Sequence, residues 1–234
     1  MLSMAILPFF VLFVSFVVIF IKYKFLCYIT INMWQYESQA KALGYKIIVG
    51  VDEAGRGPLA GPVVSGAVVL PHDCVLTGIN DSKKLTEKQR DTLYPQIMET
   101  ALAVATGLAS PAEIDRMNIL KAALLSMKRA VNNLSSSGGK IVPDYLLIDG
   151  KFTIDMPVQQ TAIIKGDSKS ISIAAASIIA KVTRDAIMRD LHKQYPEYNF
   201  KQHKGYPTKA HKEAILQYGA SPVHRMSFKG VIVL

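Results

Sequence analysis

Cysteine is scarce in this sequence: only Cys27 and Cys74 occur in 234 residues, and they form no CxxC pattern. A disulfide framework and a cysteine-ligated zinc site are therefore both unsupported, and a reducing compartment is favoured. Internal repeats are also lacking, and the one low-complexity stretch is a Ser/Gly turn at 135–139. The length suffices for one sizeable hydrophobic core, or for one domain with a small appendage.

Negative charge is in deficit. The chain has 18 Asp and Glu residues against 27 Lys and Arg residues, which gives a formal net charge of +9. Only two of the cations, Lys22 and Lys24, lie in the first 32 residues, so 25 of the 27 belong to the rest of the chain. This excess favours an anionic partner such as nucleic acid, although excess lysine is also compatible with solubility alone.

Residues 1–21 carry no charged side chain and are rich in Phe, Val, Ile and Leu. The run is long enough to cross a bilayer, but it has neither the basic start nor the small-residue cleavage site of a signal peptide. Two interpretations of residues 1–32 remain. They are a membrane anchor whose flanking lysines keep the following domain in the cytoplasm, or the product of a start codon assigned upstream of Met33. We favour the second, and with it a cytoplasmic protein.

Beyond residue 46, the patterns of β-strand and α-helix alternate. We predict strands at 47–52, 62–70, 101–108, 145–149 and 158–165. We predict helices at 86–100, from Ser110 to about Val131, at 171–191, and between Thr208 and Gly219. Three early strands followed by βα units indicate an α/β fold, a mixed sheet with helices on its faces. The last forty or so residues are typical of a helical appendage.

The most informative run is Val51–Pro58, which reads VDEAGRGP. It places Asp52 and Glu53 directly after a buried strand, where carboxylates are costly to dehydrate unless a cation neutralises them. Gly55 and Gly57 flank Arg56; glycines let the backbone approach a ligand closely, and arginine suits phosphate. The run therefore predicts a divalent metal ion beside a polyanion.

Four acids fall at predicted strand ends: Asp52, Glu53, Asp149 and Asp167. Strands that lie side by side would bring these carboxylates together, and such a cluster is best stabilised by a hard cation such as Mg²⁺ or Mn²⁺. Taken singly, each acid is better explained as a cap or turn residue. Neighbours on a strand also face opposite ways, so Asp52 and Glu53 share a metal only if the strand ends or twists there.

Basic residues stand near each acid and together predict a phosphate track, although each alone is typical of a solvated surface. They are Arg56, Lys83, Lys84, Lys151, Lys165 and Lys169. Tyr206 lies in a basic, glycine-bent loop, where its ring either stacks on a sugar or base or packs half-buried in the fold. The five histidines show no metal-ligand spacing.

Six motifs in this order resemble those of bacterial ribonuclease HII. They are VDEAGRGP (51–58), DSKKL (81–85), LIDG (147–150), KGDS (165–168), AAASIIAKVTRD (174–185) and HKGY (203–206). The resemblance runs from about residue 46 to the end, and residues 1–32 have no counterpart in the family pattern. It implies an RNase H-like fold with a five-stranded mixed sheet, a catalytic domain over 46–194 and a C-terminal helical extension over 195–234.

The resemblance also implies an activity and its residues. The expected reaction is cleavage of RNA in RNA–DNA hybrids, including 5′ to a single ribonucleotide in duplex DNA, which leaves 3′-hydroxyl and 5′-phosphate ends. Two Mn²⁺ or Mg²⁺ ions would perform it. The family's metal-binding and catalytic acids correspond to Asp52, Glu53, Asp149 and Asp167. Its substrate contacts correspond to Gly55, Arg56, Gly57, Lys83 and Tyr206.

Three alternatives differ from this expectation. A non-catalytic hybrid-binding module is disfavoured, because unneutralised carboxylates weaken phosphate binding. A DNA recombination nuclease with the same fold is disfavoured by Gly55-Arg56-Gly57 together with Tyr206. A membrane-anchored nuclease differs in location alone. A monomer is expected, and a sliding clamp is a further candidate partner, although the tail at 226–233 is too ambiguous to identify a docking motif.

Overall fold

The computed structural model describes residues 33–136 and 138–232. The hydrophobic run at 1–32 lies outside the described residues, so its two interpretations remain as the sequence left them. Across 33–136 and 138–232, no helix combines the length and the apolar character needed to cross a membrane.

Five strands form the main sheet in the order β3-β2-β1-β6-β7. In chain order the strands are β1 (Ile48–Ala54), β2 (Val63–Val69), β3 (Ala103–Ala109), β4 (Ser135–Ser136), β5 (Gly139–Lys140), β6 (Tyr145–Asp149) and β7 (Gln159–Ile163). The first three pair antiparallel, whereas β6 and β7 run parallel to β1. The two-residue strands β4 and β5 form a separate hairpin. The predicted mixed five-stranded sheet is therefore confirmed.

Seven helices surround this sheet in the described part of the chain. They are α1 (Gln35–Ala42), α2 (Glu87–Thr100), α3 (Pro111–Met117), α4 (Ile119–Asn132), α5 (Ile171–Gln194), α6 (Phe200–His203) and α7 (Lys209–Tyr218). Both predicted capping boxes form, with Thr86 and Ser110 as the N-caps of α2 and α3. Helix α7 begins after the predicted cap Thr208 and ends at Gly219.

The single long helix predicted from Ser110 to Val131 is wrong. Asn118 adopts φ = 75° and ends α3. Its side-chain oxygen then accepts a hydrogen bond from the main-chain N–H of Lys121 at 3.1 Å and caps α4. Asparagine tolerates positive φ angles and is a good N-cap. The apolar residues keep their helical spacing on both sides of Asn118, so the sequence pattern did not show that two helices meet there.

Helix α5 lies against β1 and β2 closely enough to exclude a side chain at two positions. A Cβ atom at Gly50 would come within 2.1 Å of the carbonyl carbon of Ser172, and one at Gly66 within 2.5 Å of the carbonyl oxygen of Ala176. The opposite face of the sheet is covered by α4, whose Met127 and Ala130 are buried with Val49 of β1. The strand that carries Asp52 is thus held from both faces.

The C-terminal segment packs onto the loop that follows β1. Tyr198, Phe200 and Ile215 are buried with Leu59 and with Met188 of α5. Main-chain hydrogen bonds connect Leu59 with two distant parts of this segment, one from its N–H to the carbonyl of residue 205 and one to its carbonyl from the N–H of residue 225, both 2.8 Å long. Whether 195–234 is a separate unit, as predicted, is not decided by this packing and stays a prediction.

Candidate active site

Three of the four predicted acids come together at one edge of the sheet. Strands β1 and β6 are parallel neighbours with Val51 opposite Ile148, so the next residues, Asp52 and Asp149, lie side by side. Asp167 follows β7 in a short 3₁₀ turn, Gly166–Ser168, that leads into α5. One carboxylate oxygen from each of the three aspartates lies within 4.8 Å of the other two.

Glu53 is not part of this group of three. Its Oε1 accepts a hydrogen bond from Arg56 at 3.2 Å, although its charge still raises the pKa of Asp52. Its main-chain N–H donates to Oδ1 of Asp52 at 2.6 Å and fixes that carboxylate. Two adjacent strand acids were expected to share a metal only if the strand ends or twists between them, and Glu53 is absent from the group of three aspartates.

The aspartates strongly perturb one another. Burial, reinforced by the charges of Glu53 and Asp149, raises the pKa of Asp52 well above its usual value. Burial and the charge of Asp149 likewise raise the pKa of Asp167 to about 6. Burial opposes the charged form of Lys83, but the surrounding carboxylates outweigh it and raise the Lys83 pKa. The ammonium of Lys83 lies 4.0 Å from Oδ2 of Asp167, which places this predicted residue at the site.

The donor set fits a hard divalent cation. Asp52 and Asp167 are 2% and 5% exposed, and like charges this close persist best when a cation neutralises them. Oδ1 of Asp149 accepts a hydrogen bond from the N–H of Gly166 at 2.6 Å, which orients that carboxylate. The three ligand atoms are oxygens, the donor type that Mg²⁺ and Mn²⁺ prefer.

The predicted substrate residues form a second group beside the acids. A Cβ atom at Gly57 would lie 3.5 Å from Cε1 of Tyr206, so the tyrosine ring stands directly over the loop at 55–57. The ring is 44% exposed and the Arg56 side chain 50% exposed. Gly55 has φ = +99°, a conformation that side chains rarely adopt. The loop at 55–57 thus carries an exposed guanidinium and lies against an exposed tyrosine.

A buried histidine pair supports the loop that carries Tyr206. Nδ1 of His211 lies 2.9 Å from the Tyr206 carbonyl oxygen, which can only accept, so Nδ1 carries the proton. Nε2 of His211 then accepts from Nε2 of His224 at 3.0 Å, and Nδ1 of His224 accepts from the N–H and hydroxyl of Ser221. Burial lowers the pKa of both histidines to about 4, so this chain of neutral rings persists at pH 7.

Sequence reasoning missed this pair and also two buried arginines, Arg184 and Arg225. Burial lowers their pKa values to about 10 and about 9, so both remain charged at neutral pH. Arg184 lies within the motif at 174–185, which signalled its importance without its role. For Arg225 the sequence pattern offered no signal, because its partners are main-chain carbonyls far away in the chain.

Comparison with known proteins agrees with this arrangement. The profile of the family described as Ribonuclease HII matches residues 49–231. Ribonuclease HII of Acetivibrio thermocellus is 54% identical over 198 residues, which cover 85% of this chain and 75% of that protein. The crystal structure of ribonuclease H2 from Pyrococcus horikoshii has a TM-score of 0.65 at 30% identity, covering 80% of this chain and 95% of that one. A chain from the PCNA:RNase HII complex of Archaeoglobus fulgidus has a TM-score of 0.65 at 24% identity, covering 79% and 96%, a likeness of fold alone.

Proposed function

The chain belongs to the ribonuclease HII family and is a metal-dependent endonuclease of the ribonuclease H type, and from this premise we propose how it acts. Its substrates are RNA–DNA hybrids and duplex DNA that contains a single ribonucleotide, which it cuts on the 5′ side of the ribonucleotide. The observation that carries the proposal is the adjacency of two groups, the three aspartates within 4.8 Å and the glycine loop covered by Tyr206.

The acids hold the metal in this proposal. Asp52, Asp149 and Asp167 supply the carboxylate oxygens, and Glu53 is the fourth acid of the site, held by Arg56 until substrate binds. Two Mn²⁺ or Mg²⁺ ions, when bound, supply the Lewis acidity that activates water and stabilises the leaving 3′-oxygen. The products therefore carry 3′-hydroxyl and 5′-phosphate ends. Lys83 balances the carboxylate charge and attracts the scissile phosphate.

The glycine loop supplies specificity. RNA differs from DNA at each nucleotide by its 2′-hydroxyl, and a sensor of that group needs no base contacts. In this proposal the loop of Gly55, Arg56 and Gly57 approaches the ribose closely, because two of its three residues lack a side chain. Tyr206 stacks on the neighbouring deoxyribose, and Arg56 binds a phosphate. The exposure of both side chains supports these roles.

One assay separates this function from its rivals. The protein is incubated with Mn²⁺ or Mg²⁺ and two duplexes of identical sequence, one all-DNA and one containing a single ribonucleotide. Cleavage 5′ to the ribonucleotide, with the all-DNA duplex intact, is the expected result. Cutting of the all-DNA duplex would indicate a recombination nuclease, and binding of either duplex without cleavage would indicate a non-catalytic module.

Location, oligomeric state and partners complete the proposal. We propose a cytoplasmic location, a monomeric state and a C-terminal substrate-binding extension over 195–234. A sliding clamp is a further proposed partner, because the similar Archaeoglobus fulgidus structure contains PCNA. Co-elution of the purified protein with a purified clamp in size-exclusion chromatography tests the clamp and the monomer together.

A further inference from the structure

Two arginines are buried and bind main-chain carbonyls. Arg184 is 1% and Arg225 0% exposed. In the part of the chain that the structure describes, neither guanidinium forms a hydrogen bond or ion pair with a carboxylate; each binds three main-chain carbonyl oxygens instead. A buried charge is costly and is retained where its hydrogen bonds fix a geometry that no neutral group provides.

Arg225 lies in the C-terminal segment and binds the main chain of the glycine loop at 55–57. Its two terminal nitrogens donate to the carbonyls of Gly55 at 2.6 Å and Arg56 at 3.0 Å, and its Nε donates to the carbonyl of Gly61 at 2.9 Å. The guanidinium carbon also lies 5.0 Å from the centroid of the Phe228 ring. Two successive peptide groups of the loop are therefore held by one planar side chain.

Arg184 binds main-chain carbonyls in two segments, one just after the glycine loop and one just before Tyr206. It donates from Nε to the carbonyl of Pro62 and from NH2 to that of Ala60, and its NH1 donates at 3.0 Å to the carbonyl of Lys204, two residues before Tyr206. The side chain also fills the space beside Gly55, where a Cβ atom would lie 2.0 Å from the Arg184 Nε. The loop at 55–57 and the loop at 203–206 are thus tied to one scaffold.

The orientation of the peptide groups has a direct chemical consequence. In a trans peptide the C=O of one residue and the N–H of the next point in opposite directions, and no cis peptide occurs among the described residues. Because the carbonyls of Gly55 and Arg56 face Arg225, the N–H groups of Arg56 and Gly57 point away from that buried guanidinium. Neither N–H donates a hydrogen bond to any described residue. Both remain available to a ligand.

We propose that Arg225 and Arg184 are positioning residues for ribonucleotide discrimination. Arg225 turns the loop carbonyls inward, so that two main-chain N–H groups face the substrate. Arg184 sets the distance between this loop and the one that carries Tyr206. The inference rests on the proposed function, since it concerns how the proposed sensor is held. It assigns these arginines no contact with substrate or metal.

The test is the conservative substitution Arg225→Lys, with Arg129→Lys as matched control. Lysine keeps the charge, but its three N–H groups share one nitrogen, so it does not reproduce the planar, spaced donors that bind the carbonyls of Gly55, Arg56 and Gly61. Arg129 also binds a carbonyl, that of Leu108, and pairs with Glu113, but it lies away from the acids. We expect kcat/KM on the single-ribonucleotide duplex to fall about a hundredfold for Arg225→Lys, the size of loss typical of a misplaced contact. The control keeps wild-type activity.

Mn²⁺ binding, measured by calorimetry, distinguishes positioning from general damage. The aspartate cluster has no hydrogen bond with Arg225, so Mn²⁺ affinity should be unchanged in Arg225→Lys while kcat/KM on the single-ribonucleotide duplex falls. Equal losses of Mn²⁺ affinity and activity, or wild-type kcat/KM in the variant, would overturn the inference and leave the proposed function standing. Failure of the wild-type protein to cut the single-ribonucleotide duplex would overturn both.

A measurement on the wild-type protein covers the case in which the variant does not fold. Amide resonances of Arg56 and Gly57 are followed by ¹⁵N NMR in metal-free buffer, on addition of each duplex of the pair described above. We expect both resonances to shift with the ribonucleotide-containing duplex and to shift less with all-DNA. Identical shifts with the two duplexes, or none with either, would show that these N–H groups do not sense the ribonucleotide.

Discussion

Replacement of Asp167 by asparagine should stabilise the metal-free protein. Burial and the Asp149 charge raise the Asp167 pKa from 3.8 to about 6, so at pH 7 the fold holds an ionised group that it disfavours. The loss of folding free energy caused by ionised Asp167 is absent below pH 3.8, grows between pH 3.8 and 6, and is constant above that range. A shift of this size corresponds to about 3 kcal/mol at most. Asp167→Asn removes the charge, and with it this cost.

The measurement is urea denaturation of both proteins in EDTA between pH 4.5 and 8. The difference in the free energy of unfolding reports Asp167 together with the groups whose charges it perturbs, because the low-pKa histidines His211 and His224 titrate in both proteins and cancel. The variant should gain stability relative to wild type as the pH rises to about 6. At a thousandfold excess of Mn²⁺ over Kd the order should reverse, because the wild type then gains about 4.1 kcal/mol, more than the cost of the ionised Asp167. A pH-independent difference, or a variant less stable in EDTA at pH 7, would refute this electrostatic account.

Three further perturbations test other parts of the site. Asp149→Asn should nearly abolish cleavage but keep hybrid binding, because asparagine still accepts from the N–H of Gly166 while the ligand charge is lost; wild-type turnover at saturating Mn²⁺ would disprove the assignment. Tyr206→Ala should lower kcat/KM on the single-ribonucleotide duplex about ten- to hundredfold, as expected for lost stacking, and Tyr206→Phe, the matched control, should not; equal losses in binding and cleavage would make Tyr206 a packing residue. Gly50→Ala should destabilise the fold by about 1–3 kcal/mol, since its Cβ would collide with Ser172; an unchanged Tm would contradict that packing.

Features with a local signal were predictable from the sequence. The capping boxes at Thr86 and Ser110 form as expected, because their partners are three residues away. The acids of β1 and β6 meet because parallel strands end at one edge, a rule that needs no knowledge of side-chain contacts. The fold class and the cluster of Asp52, Asp149 and Asp167 follow from these regularities.

Features that depend on long-range main-chain contacts were not predictable. Arg225 binds carbonyls 169 and 170 residues earlier in the chain, and every residue has a carbonyl, so no side-chain pattern marks those partners. The break at Asn118 was hidden for a related reason, since a single φ angle separates α3 and α4. The sequence predicted the separation of Glu53 from the three aspartates only conditionally, because it depends on whether the strand ends or twists at Asp52.

The origin of Arg225 near the C-terminus has a consequence for biosynthesis. A ribosome releases residues 52, 149 and 167 into solution well before residue 225, and domains tend to fold in the order of synthesis. All three aspartates are therefore present in nascent chains that still lack the Arg225 guanidinium and its hydrogen bonds to the glycine loop. A product that terminates before Arg225 retains all three aspartates but lacks the three hydrogen bonds by which Arg225 holds the carbonyls of Gly55, Arg56 and Gly61.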